Sequence, residues 1–92
     1  MVTVIVLINT ELDRIRAVAQ AISETDGVQA VYSVAGRYDI IAILRLPSLE
    51  DVESVVPGVV DQVPGVTSSE TLVAFRTYST EELDAAYDLG LS

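Results

Sequence analysis

The sequence predicts an α+β domain in which a four-stranded antiparallel sheet carries two helices on one face. Three observations predict it: the chain repeats itself internally, each half runs through the same order of apolar patterns, and a glycine-centred turn joins the halves. When Thr10-Glu11-Leu12-Asp13 is slid onto Ser48-Leu49-Glu50-Asp51, Asp26-Gly27-Val28 falls on Pro64-Gly65-Val66. The first pair reads as two helix starts, each a hydroxyl N-cap with an acid three places on, close to a capping box. The second pair reads as two helix stops running into strands. Strand–helix–strand twice over, with a hairpin between, is the ferredoxin-like βαββαβ order.

Each element follows from local pattern. The first strand, Val2–Ile8, and the third, Ile40–Leu46, are apolar on both faces. A helix over Thr10–Ser23 is predicted by the stripe Leu12, Ile15, Val18, Ala19 and Ile22. The second strand, Val28–Val34, ends at Ala35-Gly36-Arg37-Tyr38-Asp39, where Gly36 can take positive φ and Asp39 can bond its own backbone. The second helix, Ser48–Val63, carries Leu49, Val52, Val56, Val59, Val60 and Val63, and Pro57-Gly58 predicts a kink or break within it. A mid-helix proline deletes a backbone hydrogen bond and costs about 3 kcal/mol. The last strand is expected over Ser69–Thr77. Beyond it Ser79, Glu82, Leu83, Ala86, Tyr87 and Gly90 pattern as a short C-terminal helix. The expected organisation is therefore a domain at 1–78 and a helical extension at 79–92.

Composition excludes several classes of function. Half of the 92 residues are apolar and 21% are charged, so the chain can build one core and is not disordered. Cysteine and histidine are both absent, which removes disulfides, thiolate chemistry, the usual general base and the commonest zinc ligand. No cofactor or metal is expected. Glu81, Glu82, Asp84 and Asp88 match no calcium-loop spacing and read as a solvated helix face. The five basic residues, all arginine, stand against 14 acids for a net charge of −9. Direct nucleic-acid binding needs a clustered basic surface, which five scattered arginines do not supply. The apolar stretch Val4–Ile8 is too short for a membrane span and lacks the flanks of a secretory signal, so a cytoplasmic protein with no membrane partner is expected.

Two helices cover only one face of a sheet, yet Ile5, Leu7, Ile41 and Ile43 make the opposite face of the central strands apolar as well. A monomer would expose more apolar surface than soluble monomers carry. A homodimer packed sheet on sheet about a two-fold axis is expected, a dimeric α/β sandwich.

The stretch "VAGRYDIIAILRLPSLEDVE", with "VPGVTSSETLVAF" further on, resembles the effector-binding (RAM) domain of the Lrp/AsnC, or leucine-responsive, transcription regulators. The resemblance covers about residues 2–78 and rests on the Gly-x-Tyr-Asp hairpin at Gly36–Asp39, the Pro-Gly-Val helix exit at Pro64–Val66, and Thr71 in the last strand. It implies a homodimer that assembles further into a ring (octamer or decamer). It also implies an amino acid or similar small effector bound near the hairpin and the start of the fourth strand. By position the ligand-binding residues would be Gly36, Arg37, Tyr38, Asp39, Thr71, Leu72 and Val73. Family regulators begin with a helix-turn-helix, whereas here the first strand starts at Val2. A stand-alone effector domain that acts through mixed assembly with full-length Lrp/AsnC regulators is therefore expected.

Several of these residues have an ordinary structural role beside the ligand role. Asp39 is either a turn cap or the acceptor for a ligand ammonium, and Gly36 a hairpin glycine or part of a backbone anion nest. Arg37 is an exposed turn charge or a carboxylate clamp, Tyr38 a packing residue or a ligand contact. Thr71 is an ordinary strand residue or a hydroxyl on the ligand. Leu72 and Val73 alternate faces, so at most one lines a pocket. Cofactor-free monooxygenases also use dimeric ferredoxin-like sheets, but they typically lean on His, Asn or Trp, and His and Trp are absent here. A binding module is expected rather than an enzyme, with a ligand-free assembly adaptor as a further alternative.

Overall fold

In a computed structural model, which describes residues 1–78, backbone hydrogen bonding gives the order β1 (Val2–Thr10), α1 (Ile15–Ser23), β2 (Val28–Ser33), β3 (Ile40–Leu46), α2 (Leu49–Val55) and β4 (Val66–Ala74). The C-terminal helix expected over 79–92 lies outside the described residues. The strands form one antiparallel sheet in the order β2-β3-β1-β4. This is the ferredoxin-like arrangement that the repeat predicts. The repeat is visible in backbone geometry too: β2 and β4 each begin one residue after a positive-φ glycine, Gly27 at 91° and Gly65 at 106°.

The core lies between sheet and helices. Val4, Val6, Ile8, Ile40, Ala42 and Leu44 point into it from the central strands and are fully buried, as are Val18 and Ile22 of α1 and Val60. On the other face the register aligns Ala30, Ile43, Ile5 and Leu72 in one row across all four strands, with Tyr32, Ile41, Leu7 and Glu70 in the next. This face, which no helix covers among the described residues and which is called the uncovered face below, is therefore apolar from edge to edge in one row and ends in a carboxylate in the other. Among the described residues no helix is long and apolar enough to cross a membrane.

Three local expectations need correction. Thr10 does not cap the first helix: it ends β1, its side chain is buried, and its hydroxyl donates to the Glu11 carbonyl at 3.0 Å. The helix starts instead through a 3₁₀ turn, Leu12–Arg14, with no side-chain cap, so Leu12 leaves the core stripe and is 88% exposed. Ser48 behaves as expected, accepting the Asp51 N–H at 3.3 Å and donating to the Asp51 carboxylate at 2.9 Å. The second helix is disturbed at Pro57-Gly58, as the sequence predicts: the α-helix ends at Val55. Pro57 has no N–H to give, and the chain widens into a π turn over Val56–Val60, closed by the Asp61 N–H on the Val56 carbonyl at 2.9 Å. The wider turn rotates Val59 outward while Val56 and Val60 stay buried. Lastly, β4 spans Val66–Ala74 rather than Ser69–Thr77, because among the described residues its only partner is β1 and the pairing ends at Thr3↔Ala74.

The turn before β4 sets a firm limit on sequence. A Cβ on Gly65 would stand 2.7 Å from Arg14 Cβ and 2.9 Å from Val18 Cγ2, whereas one on Gly36 (φ 137°) would meet nothing within 4 Å. Gly36→Ala should therefore cost only the left-handed backbone penalty, about 1–2 kcal/mol. Gly65→Ala adds a steric clash and should cost more, as read by chemical denaturation. Equal losses at the two sites would contradict the packing described.

Candidate functional site

The hairpin between β2 and β3 is built around Gly36 and Asp39. Asp39 is held on three sides. Its N–H donates to the Ile8 carbonyl at 3.0 Å, its carbonyl accepts from Val34 N–H at 3.0 Å, and its carboxylate oxygen Oδ2 accepts from Thr10 N–H at 2.9 Å. Thr10 is buried at the end of β1, beyond the last β3 pair Ile8↔Ile40, so the carboxylate satisfies a donor that would otherwise be orphaned. Asp39 thus has a structural role, although its carboxylate caps the end of β1, whereas the turn-cap reading expects it to cap its own turn. Its second oxygen takes no part in these bonds.

Arg37 and Gly36 are exposed at the tip, and Tyr38 is partly buried. The Tyr38 side chain crosses β1 to reach β4, where its hydroxyl donates to Glu70 Oε2. This hydrogen bond raises the Tyr38 phenol above its ordinary pKa. Partial desolvation and the Glu70 charge act in the same direction, and the Arg37 guanidinium opposes them. A phenol whose pKa is raised by folding stabilises the fold below its unfolded value of about 10, and that contribution is lost as pH rises through the folded value. The link between hairpin and β4 is therefore complete at neutral pH.

The structure brings only part of the expected set together. Gly36, Arg37, Tyr38 and Asp39 form one tip. Thr71 and Val73 are on the helix-side face, paired with Val6 and Val4, while Leu72 is on the uncovered face opposite Ile5. The β4 residue that meets the hairpin is Glu70, which sequence reasoning missed. Its one signal was parity: in Ser69-Glu70-Thr71-Leu72 it shares a face with Leu72. A groove of about 570 Å³ lies elsewhere, between α1 and the edge strand β2, lined by Leu12, Ile15, Arg16, Ala19, Val31 and Ser33 among others. It is the shoulder left where the helix layer stops short of the sheet edge, and it includes none of the hairpin residues.

The model of the Lrp/AsnC ligand binding domain matches residues 3–83. The fold and the hairpin thus define a ligand-binding domain of the kind carried by transcription regulators. The chain belongs to the Lrp/AsnC family. An uncharacterized HTH-type transcriptional regulator of Pyrococcus furiosus, PF1734, is 37% identical over 74 residues, covering 80% of this chain and 49% of its own length. The chain spans about half the length of the regulators it matches. TTHA0845 from Thermus thermophilus superposes with a TM-score of 0.82 at 42% identity, covering 86% of this chain and 99% of its own. A regulator from Neisseria meningitidis, NMB0573, solved as an L-Met complex, shares the fold with a TM-score of 0.75 at 11% identity, over 86% of this chain and 54% of its own.

Proposed function

We propose that the chain is an amino-acid-binding and assembly module whose ligand sits against the hairpin tip and the adjoining end of β4. The observation that carries this reading is the Tyr38–Glu70 bond, which joins the hairpin to β4 and leaves charged groups at the rim of an apolar sheet face. The ligand-binding character of the family and the methionine bound by the Neisseria neighbour support it. In this reading backbone N–H groups around Gly36 and the Arg37 guanidinium receive the ligand carboxylate, and Leu72 supplies apolar contact. Asp39 holds the hairpin in place. Thr71 and Val73 face the helix side and support the strand.

Two copies pack through the row Ala30, Ile43 and Ile5, and dimers associate further into rings. Regulation passes through such assemblies, mixed ones with longer relatives included, rather than through direct DNA contact, given the charge of −9. Nothing in this reading requires catalysis.

Calorimetry against the proteinogenic amino acids tests it. At least one should give saturable heat, and Asp39→Asn, which keeps an acceptor for Thr10 N–H, should leave the fold intact. Asp39→Ala should cost about 1–3 kcal/mol of stability by orphaning that buried N–H. Absence of heat and of any melting shift across the whole panel would leave only the assembly role.

A further inference from the structure

Resting on the assembly reading just given, we infer that the open edge of β2, with the shoulder between it and α1, is a self-pairing surface: the β2 strands of two copies add antiparallel about a two-fold axis through Tyr32 and join one dimer to the next. β2 is an outer strand of the sheet, and its backbone pattern follows from the hairpin. Val34 N–H donates to the Asp39 carbonyl at 3.0 Å. Bonded and open positions alternate along an antiparallel ladder. Tyr32 and Ala30 therefore bond across to Ile41 and Ile43, while the N–H and C=O groups of Val31 and Ser33 turn to the open side. The register shift lies between Val28 and Ala30, so the strand beyond it is regular.

Sheet edges are ordinarily blunted by charge, proline or a covering segment. From Val28 to Ala35 there is no charged residue and no proline, and among the described residues no strand pairs with the open side. The other outer strand, β4, carries Glu70. Val31 and Ser33 also line the groove beside α1, so the unpaired backbone and the unfilled groove belong to the same residues.

The charges in the groove favour a second copy as the occupant. A two-fold axis through Tyr32 sets Val31 of each copy against Ser33 of the other, and their outward groups satisfy one another. Tyr32 lies about 13 Å into β2, counted from Val28. That is the rise of about nine helical residues back from Ser23, which is the level of Arg14. Asp13 and Arg16 flank this level, and both are exposed and line the groove. The axis therefore brings Asp13 of one copy to Arg16 of the other and the reverse, the reciprocity of an isologous contact. The two shoulders merge into one trough, which the exposed Leu12 fills from both sides. A six-residue edge falls short of the roughly 1,200–2,000 Å² that stable interfaces bury. One such contact does not hold two monomers; it joins dimers, each of which presents two edges.

Sedimentation velocity at micromolar concentration tests it, with circular dichroism as the check on folding. The wild type should form assemblies larger than a dimer. Ser33→Pro removes an outward N–H and no bond of its own sheet, and should leave dimers only. Arg16→Asp should do the same by setting acid against acid. Asp13→Arg combined with Arg16→Asp should restore the larger assembly, because the swap keeps every cross-axis pair opposite in sign; a merely structural role for either residue would give no such recovery. Larger assemblies that persist in Ser33→Pro or in Arg16→Asp, or a charge swap without recovery, would overturn the inference while leaving amino-acid binding and the sheet-face dimer standing. A wild type that stops at the dimer would overturn it together with the proposed rings.

Discussion

Ile43→Glu is expected to convert an assembled protein into a particle of 9.9 kDa. Ile43 lies at the centre of the uncovered face, paired with Ile5 on one side and Ala30 on the other. In a two-fold sheet-on-sheet contact each substitution enters twice, and each places a carboxylate against the apolar row of Ala30, Ile5 and Leu72. An uncompensated buried charge costs about 3–5 kcal/mol, so association should weaken by several hundred-fold or more. Sedimentation velocity at micromolar concentration reads the result directly. A wild type that already sediments as a monomer would remove the premise. The helix-side core is untouched by this change, so the monomer should keep its secondary structure by circular dichroism.

Ile8→Ala should act on the opposite face and by a different route. Ile8 is fully buried and paired with Ile40 and Ser69 in the central strand. Truncation removes apolar contact and leaves a cavity that a sheet pinned on both sides cannot close, which costs about 2–5 kcal/mol. Against a domain stability of about 5–15 kcal/mol that is a large share. Chemical denaturation should show a lower midpoint with an unchanged slope. Ile5→Ala is the informative companion, because Ile5 is only partly buried in the protomer. If its cost approaches that of Ile8→Ala and depends on protein concentration, the uncovered face is covered in solution.

The fold was legible because the repeat ties local signals to long-range order. Gly27 and Gly65 recur at matching places, both with positive φ, and Val28 and Val66 open matching strands. Boundaries were less legible where a tertiary contact decided them. Thr10 has the chemistry of an N-cap, but β1 runs on to include it, because Asp39 receives its N–H and Glu11 N–H reaches the Gly65 carbonyl at 2.9 Å. Leu12 fits the helical stripe by spacing, yet the 3₁₀ turn has a different period and swings it outward. Pro57 announced a disturbance without saying that a π turn would absorb it. At the candidate site the hairpin itself was readable from Gly36 and Asp39. Glu70 was not, since its meeting with Tyr38 depends on β1 standing between β3 and β4, a fact of strand order rather than of any local motif.

The same strand order governs how the chain must come together as it is made. Strand β1 is synthesised first but sits between the third strand and the last, and Thr3 finds its final partner only at Ala74. A nascent chain can close the β1–β3 pair once Leu46 has emerged, yet one flank of β1 then stays open until nearly all of the described fold has left the ribosome. Contacts of such sequence separation carry a loop-closure cost that slows folding, and an open apolar strand is vulnerable to other chains meanwhile. β4 opens on a polar, exposed run, Thr67 to Thr71, before it reaches Leu72 and Val73, and that run suits a strand that arrives last and has to stay dissolved until its place is ready.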